Sequence, residues 1–173
     1  MATQDYNKFF ITPFWTDSFK KLDYINETFN DAVKLAEWKE IGYDTDRVTG
    51  MLCDMRSPQP SWNDRFIQKF EKYKWQDIGT SYYRMDPGTV LPTHNDLYKK
   101  YVEIFQLHGQ EQSIRRAIIF LENWASGHYL EIAGDVITKW TAGTVIEWAY
   151  DTPHMAANIG STPRYTLQIT GHL

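Results

Sequence analysis

Arg84-Met-Asp-Pro-Gly-Thr-Val-Leu-Pro-Thr-His-Asn-Asp96 is the stretch on which the reading of this chain turns. It sets His94 and Asp96 two residues apart, and on an extended strand two such side chains leave from the same face. A pair directed at one point can share a metal ion. His154, at the end of Tyr150-Asp-Thr-Pro-His154, supplies a third ligand if the strand it opens lies next to the one carrying His94. Two histidines and one carboxylate fill three corners of an octahedron and leave the others open, a pattern suited to non-haem iron(II), although zinc uses the same ligands. Each part has an ordinary explanation as well. His-x-Asp is frequent by chance, and the segment before His154 is a turn in which a histidine can cap or face water.

Further along, Arg164 and Thr166 stand two apart in Arg164-Tyr-Thr-Leu-Gln-Ile-Thr170. One face of that strand presents a guanidinium fork and a hydroxyl, a seat for a carboxylate. The plainer alternative is a surface arginine beside a threonine that favours strands.

Around these residues the chain after Trp75 has the texture of short strands bounded by turns. Runs rich in β-branched and aromatic residues occur at 81–85, 116–121, 128–132, 135–140, 144–148, 154–159 and 165–170, with Gly127, Gly134, Gly143 and Gly160 between or beside them. This spacing predicts a barrel or double-sheet jelly roll. Leu97, Tyr101, Ile104 and Phe105 predict a short helix between strands, and Gly109 to Glu111 a loop. Upstream, a helix is expected from a cap at Asn26 through Phe29, Ala32, Val33, Ala36 and Ile41 to a stop at Gly42. A second helix is expected from Ser61 through Phe66, Ile67, Phe70 and Tyr73, and residues 42–60 read as a connection. The aromatic start, Tyr6 to Phe19, predicts a short strand at Phe9-Phe10-Ile11 and a segment that wraps the core or adds an edge strand.

The composition bounds the class. The chain has 173 residues, enough for one domain with a sizeable core. Net charge is -4 with scattered lysines and arginines, and the basic pair Arg115-Arg116 is too short to make nucleic acid the main partner. The start Met-Ala-Thr-Gln-Asp does not read as a signal peptide, and no apolar run approaches membrane-spanning length. Cys53 is the single cysteine, which excludes an intrachain disulfide framework and a cysteine-rich zinc or iron–sulfur site. A protein of the reducing cytoplasm is the expectation. Seven Trp and eleven Tyr suit a ligand cavity as well as a core.

Taken together, Asp86-Pro-Gly-x5-His94-x-Asp96, the strand Arg115-Arg-Ala-Ile-Ile-Phe-Leu-Glu122, Ser126-Gly-His-Tyr-Leu-Glu131, Ala142-Gly-Thr-Val-Ile-Glu-Trp148, and His154 with Arg164-x-Thr166 resemble the iron(II)- and 2-oxoglutarate-dependent oxygenases. The small prolyl-hydroxylase-like members are the most similar, over roughly residues 80 to 171. The resemblance implies a mainly β fold with N-terminal helices, a single domain of residues 1–173. In it, residues 79–171 form a cupin-like double-stranded β-helix and residues 1–78 wrap it. It implies that His94, Asp96 and His154 hold Fe(II), and that Arg164 and Thr166 bind the distal carboxylate of 2-oxoglutarate with Tyr83 as a further contact. The partners would be 2-oxoglutarate, dioxygen and an organic substrate that the sequence does not identify. The retained Asp96 favours hydroxylation over halogenation. Relatives often carry Gly-Gly-x-Leu where this chain has Ser126-Gly-His-Tyr-Leu130, which leaves the role of His128 open, as are those of Trp140 and Trp148.

Two other classes fit part of the pattern. A cupin-like metal enzyme without 2-oxoglutarate explains the strands and the three ligands but leaves Arg164 and Thr166 unused. A sugar- or peptide-binding jelly roll explains the aromatic abundance and predicts no iron at His94. A phosphate-loop nucleotide enzyme is disfavoured, since no Gly-rich Lys-Ser/Thr run occurs.

Overall fold

A computed structural model of the chain describes residues 6–26, 29–53 and 57–173. Their strands lie in two antiparallel sheets. The larger sheet has the order β1 (Tyr6–Phe10), β9 (Thr144–Ala149), β6 (Ile114–Phe120), β11 (Arg164–His172), β4 (Gln76–Met85), β3 (Met51–Cys53), β2 (Tyr24–Asn26). The smaller has the order β5 (Thr89–His94), β10 (His154–Asn158), β7 (His128–Ile132), β8 (Asp135–Ile137). Three α-helices accompany them: α1 (Ala32–Glu40), α2 (Asn63–Lys72) and α3 (Lys99–Phe105).

The central strands of the large sheet are buried on both faces, which is why they read as continuous apolar runs rather than as alternation. Along β6, Ala117 and Ile119 turn toward α2 and the N-terminal aromatics, where they pack with Phe66, Phe70, Trp75 and Tyr82. Ile118 and Phe120 turn the other way, against Leu130, Ile132 and Ala156 of the small sheet. β11 splits in the same manner: Leu167 and Ile169 belong to the outer cluster, while Thr166 and Gln168 face inward. The site is built between the sheets, on this inward face.

α2 forms where expected. Phe66 and Phe70, one helical turn apart, are fully buried, Asp64 lies in the first turn and Lys69 and Lys72 in the last. α1 differs from the expected helix. Its cap is Asp31, whose carboxylate accepts from the Val33 and Lys34 amides, so the helix begins after Phe29 rather than at Asn26. Its buried residue is Trp38, whereas Val33 and Ile41 are exposed. The 42–60 connection contains β3, whose Leu52 pairs with Tyr83, and β2 pairs with β3 in turn. These three-residue strands carry too few side chains to show a period; main-chain pairing with β4 holds them. β4 itself starts at Gln76 because the long strand β11 continues to His172, opposite Gln76. The expected strand at 135–140 ends at Ile137, after which Lys139 adopts φ +55°. The N-terminal strand is the expected edge strand, β1 pairing with β9. No helix among the described residues is long and apolar enough to cross a membrane.

Candidate metal and carboxylate site

β5 ends on His94 and β10 begins on His154, and the antiparallel register places these two residues opposite each other. β5 tolerates Pro92 because it is the edge strand of its sheet, where a missing amide breaks no ladder. Asp96 lies two residues past the strand end, yet its carboxylate returns to the same point. The His94 and His154 rings are 4.3 Å apart between centroids. One ligand atom from each of His94, Asp96 and His154 fits within a 4.8 Å spread.

The tautomers are fixed by backbone. His94 Nδ1 is 2.8 Å from the Pro92 carbonyl and His154 Nδ1 is 3.0 Å from the Thr152 carbonyl. A carbonyl only accepts, so each Nδ1 carries the proton and donates it, leaving each Nε2 as a bare lone pair. Those Nε2 atoms face Asp96, at 3.8 Å from Oδ1 for His94 and 3.9 Å from Oδ2 for His154. Burial, reinforced by His154, lowers the His94 pKa to about 4, so the ring stays neutral at pH 7. Phe29 and Trp38 present their edges to the His94 ring at 5.1 and 6.0 Å, and Trp148 tilts against His154 at 5.0 Å.

Burial works against ionising Asp96, but Arg116 and the two histidines overcome it and hold its pKa at about 2. The Arg116 guanidinium donates to Asp96 Oδ2 at 3.1 Å and to Gln168 Oε1 at 3.0 Å, and stands over the Tyr98 ring at 5.2 Å. Burial alone would lower the Arg116 pKa; the adjacent Asp96 reverses this and the net shift is upward. In the sequence Arg116 stands in a short basic pair at the start of a strand, and the pair itself gives no sign of a role at the site. The available signal was its place two residues before Ile118 and four before Phe120, on the cavity face of β6.

β11 and β4 bring Arg164 and Thr166 together with Tyr83. Thr166 pairs directly with Tyr83 across β11 and β4, and Arg164 projects from the same face. Arg164 is 4% exposed and donates to the Tyr129 carbonyl at 2.7 Å, but its Nε has no partner. Burial lowers its pKa to about 10, and none of the ion pairs among the described residues involves it. Thr166 Oγ1 is also buried without a partner. The Tyr83 hydroxyl, its pKa raised by burial to about 12, lies beside Thr49 and Gly50 without a well-formed hydrogen bond. Gly50 is required there, since a Cβ would stand 2.6 Å from the Tyr83 ring. Three unsatisfied polar atoms in one buried place, one on an uncompensated cation, fit an anionic acceptor such as a carboxylate.

A cavity of about 200 Å³ joins the two groups. Its lining includes His94, Asp96, His154, Tyr83, Arg164, Arg116, Gln168 and Trp148, with Ile118, Leu130 and Ala156 between the polar ends. The other singled-out residues lie elsewhere. Trp140 stacks on Phe120 at 3.8 Å, and His128 is buried beside it with Nε2 donating to the Thr162 carbonyl. Trp124 donates to the His128 carbonyl, Asn123 accepts from the Ala142 amide, and Tyr150 packs on Tyr98. Arg84 pairs with Asp86 at 2.9 Å on the opposite face of β4, and Lys99 and Lys100 are exposed.

Among solved structures, the chain aligns over 99% of its length with a Pseudomonas putida prolyl-4-hydroxylase, covering 94% of that chain at 13% identity and a TM-score of 0.61. It has the prolyl-4-hydroxylase fold. The chain is more weakly similar to a predicted oxalate decarboxylase of Thermotoga maritima (TM-score 0.42, 13% identity, 71% of this chain and 80% of that one). A cupin protein of Bacteroides fragilis is similar at a TM-score of 0.40, 15% identity, 57% of this chain and 69% of that one. At these scores neither carries weight. No protein-family model and no curated protein matches the sequence.

Proposed function

We propose that this protein is an iron(II)- and 2-oxoglutarate-dependent oxygenase that hydroxylates a small organic substrate, and that its two sheets form a double-stranded β-helix. The observation that carries the reading is Arg164. A buried guanidinium with no carboxylate partner, flanked by the unpartnered Thr166 and Tyr83 hydroxyls, opens into the same cavity as two bare imidazole nitrogens and a carboxylate. A cupin-like metal enzyme needs the second group but has no use for the first.

In this reading His94 Nε2, His154 Nε2 and Asp96 would hold Fe(II), a donor set suited to that ion. Arg164, Thr166 and Tyr83 receive the distal carboxylate of 2-oxoglutarate. With these bound, the site supplies oxidation of a substrate C–H bond, coupled to conversion of 2-oxoglutarate and dioxygen to succinate and carbon dioxide. The chain's own contributions are positional. Backbone carbonyls of Pro92 and Thr152 keep both imidazoles in the metal-binding tautomer. Arg116 fixes the Asp96 carboxylate through Oδ2, which would orient it toward a metal held with the two histidines. Trp148, Ile118 and Leu130 exclude water between the two polar ends.

The test is the visible absorption of the pure protein with Fe(II) and 2-oxoglutarate, without oxygen. A weak charge-transfer band that needs both additives, lost in Asp96→Ala and His154→Ala and requiring more 2-oxoglutarate in Arg164→Ala, supports the assignment. Normal metal binding with no band and no calorimetric heat from 2-oxoglutarate removes it in favour of a cupin-like enzyme. A folded protein that binds no metal removes both.

A further inference from the structure

Among the residues lining the cavity only three carry formal charge, Asp96, Arg116 and Arg164. Leaving aside the two imidazoles, whose Nδ1 atoms are held by backbone carbonyls, the empty lining has two positive charges and one negative. On the proposed reading, which this inference extends, a divalent metal raises the sum to three positive charges and the 2-oxoglutarate dianion lowers it to one. The surplus traces to Arg116. Arg164 is matched by the distal carboxylate of the cosubstrate. Asp96, however, serves both the metal and Arg116, and a carboxylate that donates electron density to a metal compensates a neighbouring cation less. A net positive charge among partly buried groups favours a last occupant of the opposite sign.

The donors around Arg116 point the same way. The guanidinium commits one hydrogen to Asp96 and one to Gln168, and its Nε stands 3.5 Å from the Tyr98 hydroxyl. Each terminal nitrogen therefore keeps a second hydrogen. The Gln168 oxygen is already taken by Arg116, so its carboxamide offers only N–H groups to a ligand. Arg164 and Gln168 are four residues apart on one face of β11, roughly 13 Å along the strand. The cavity thus has a guanidinium at each end, Arg164 without a carboxylate partner and Arg116 paired with Asp96 beside the triad.

We propose that the substrate carries a carboxylate, and that Arg116 with Gln168 is the seat that receives it, making Arg116 a determinant of substrate class. The cavity volume of about 200 Å³, shared with the cosubstrate, keeps that substrate small.

The experiment uses the unaltered protein with Fe(II) and saturating 2-oxoglutarate, without oxygen. The probes are acetate, propionate, lactate and the free L-amino acids, each against its primary amide, read by the shift of the charge-transfer band and by calorimetry. At least one acid is expected to shift the band and to bind about tenfold or more tightly than its amide, the discrimination expected of a hydrogen-bonded charge. The same acid should accelerate succinate release in air. In Arg116→Gln the acid-to-amide ratio should fall to about one, and Arg116→Lys should restore part of it. The inference is overturned if no acid outbinds its amide, or if acids bind only by displacing 2-oxoglutarate and abolishing the band, which places them at Arg164. A band that forms without acid preference leaves the oxygenase reading standing and removes this one. No band in the unaltered protein removes both.

Discussion

Replacing Arg164 with methionine should stabilise the ligand-free protein while abolishing its response to 2-oxoglutarate. Burial lowers the Arg164 pKa from the ordinary 12.5 to about 10. At about 1.4 kcal/mol per tenfold, the charged form is disfavoured in the folded chain by about 3 kcal/mol. Because the folded value lies below the unfolded one, the penalty is complete below about pH 10 and fades only as pH approaches 12.5. It is therefore constant between pH 6 and 9. Opposing it is the 2.7 Å bond to the Tyr129 carbonyl, a charge-assisted contact worth about 1.5–3 kcal/mol. Methionine keeps much of the side-chain volume without the charge, so the net gain is about 1 kcal/mol, or a rise in Tm of about 2–4 °C for a chain of this size. The unaltered protein with a divalent metal should instead gain about 2.7 kcal/mol when 2-oxoglutarate reaches a hundred times its Kd. Thermal unfolding of both proteins, with and without Mn(II) and 2-oxoglutarate, should show the variant ahead when empty and behind when loaded. A variant that melts earlier than the unaltered protein and still responds to 2-oxoglutarate would refute the claim that Arg164 is an uncompensated buried cation awaiting a carboxylate.

Three other outcomes follow from the same geometry. Asp96 has a carboxyl held at about 2 instead of 3.8, so it contributes about 2 kcal/mol that is present above pH 4 and lost as pH falls through 2; chemical denaturation from pH 2 to 7 should show this component missing in Asp96→Asn. Asn158 is fully buried, donating to the Met85 and Thr162 carbonyls and accepting from the Gly160 amide, and so ties down the loop that delivers Arg164. Asn158→Ala should cost about 2–4 kcal/mol in denaturant unfolding and also weaken 2-oxoglutarate binding by calorimetry. Gly127 has φ +89° and lies against the Gly160 backbone, so Gly127→Ala should lower stability by more than about 2 kcal/mol, visible as a depressed Tm.

The parts of the fold legible in the sequence are those whose side chains do the positioning. β6, β7, β9, β10 and β11 carry enough β-branched and aromatic residues to declare themselves, and all but β6 have a glycine turn at one end or both. β2 and β3 do not, because main-chain pairing in a register set by β4 holds them, and β5 is obscured by Pro92 at a sheet edge. α1 was misplaced because Asn26 and Asp31 are both good caps and only the fold decides that Phe29 packs against His94. In the site, His94-x-Asp96 and Arg164-x-Thr166 are legible as two-residue spacings and His154 as a third ligand conditional on strand neighbours, while Tyr83 rests on the resemblance. Arg116 is not legible. Its role depends on which strand lies beside β11 and on where Asp96 turns after β5, and neither is a local property.

The alternation along β11 also says how this protein can change. Positions 164 and 168 line the cavity and 166 is buried on the same face, while 167 and 169 meet the outer core, where both residues are fully buried. Chemistry and fold are thus written in interleaved registers of one strand. Exchanges at the first set act on what is bound, and exchanges at the second act on stability alone. A library randomised at 116, 164 and 168 explores ligand preference, and one randomised at 117, 119, 167 and 169 explores the margin by which the scaffold stays folded.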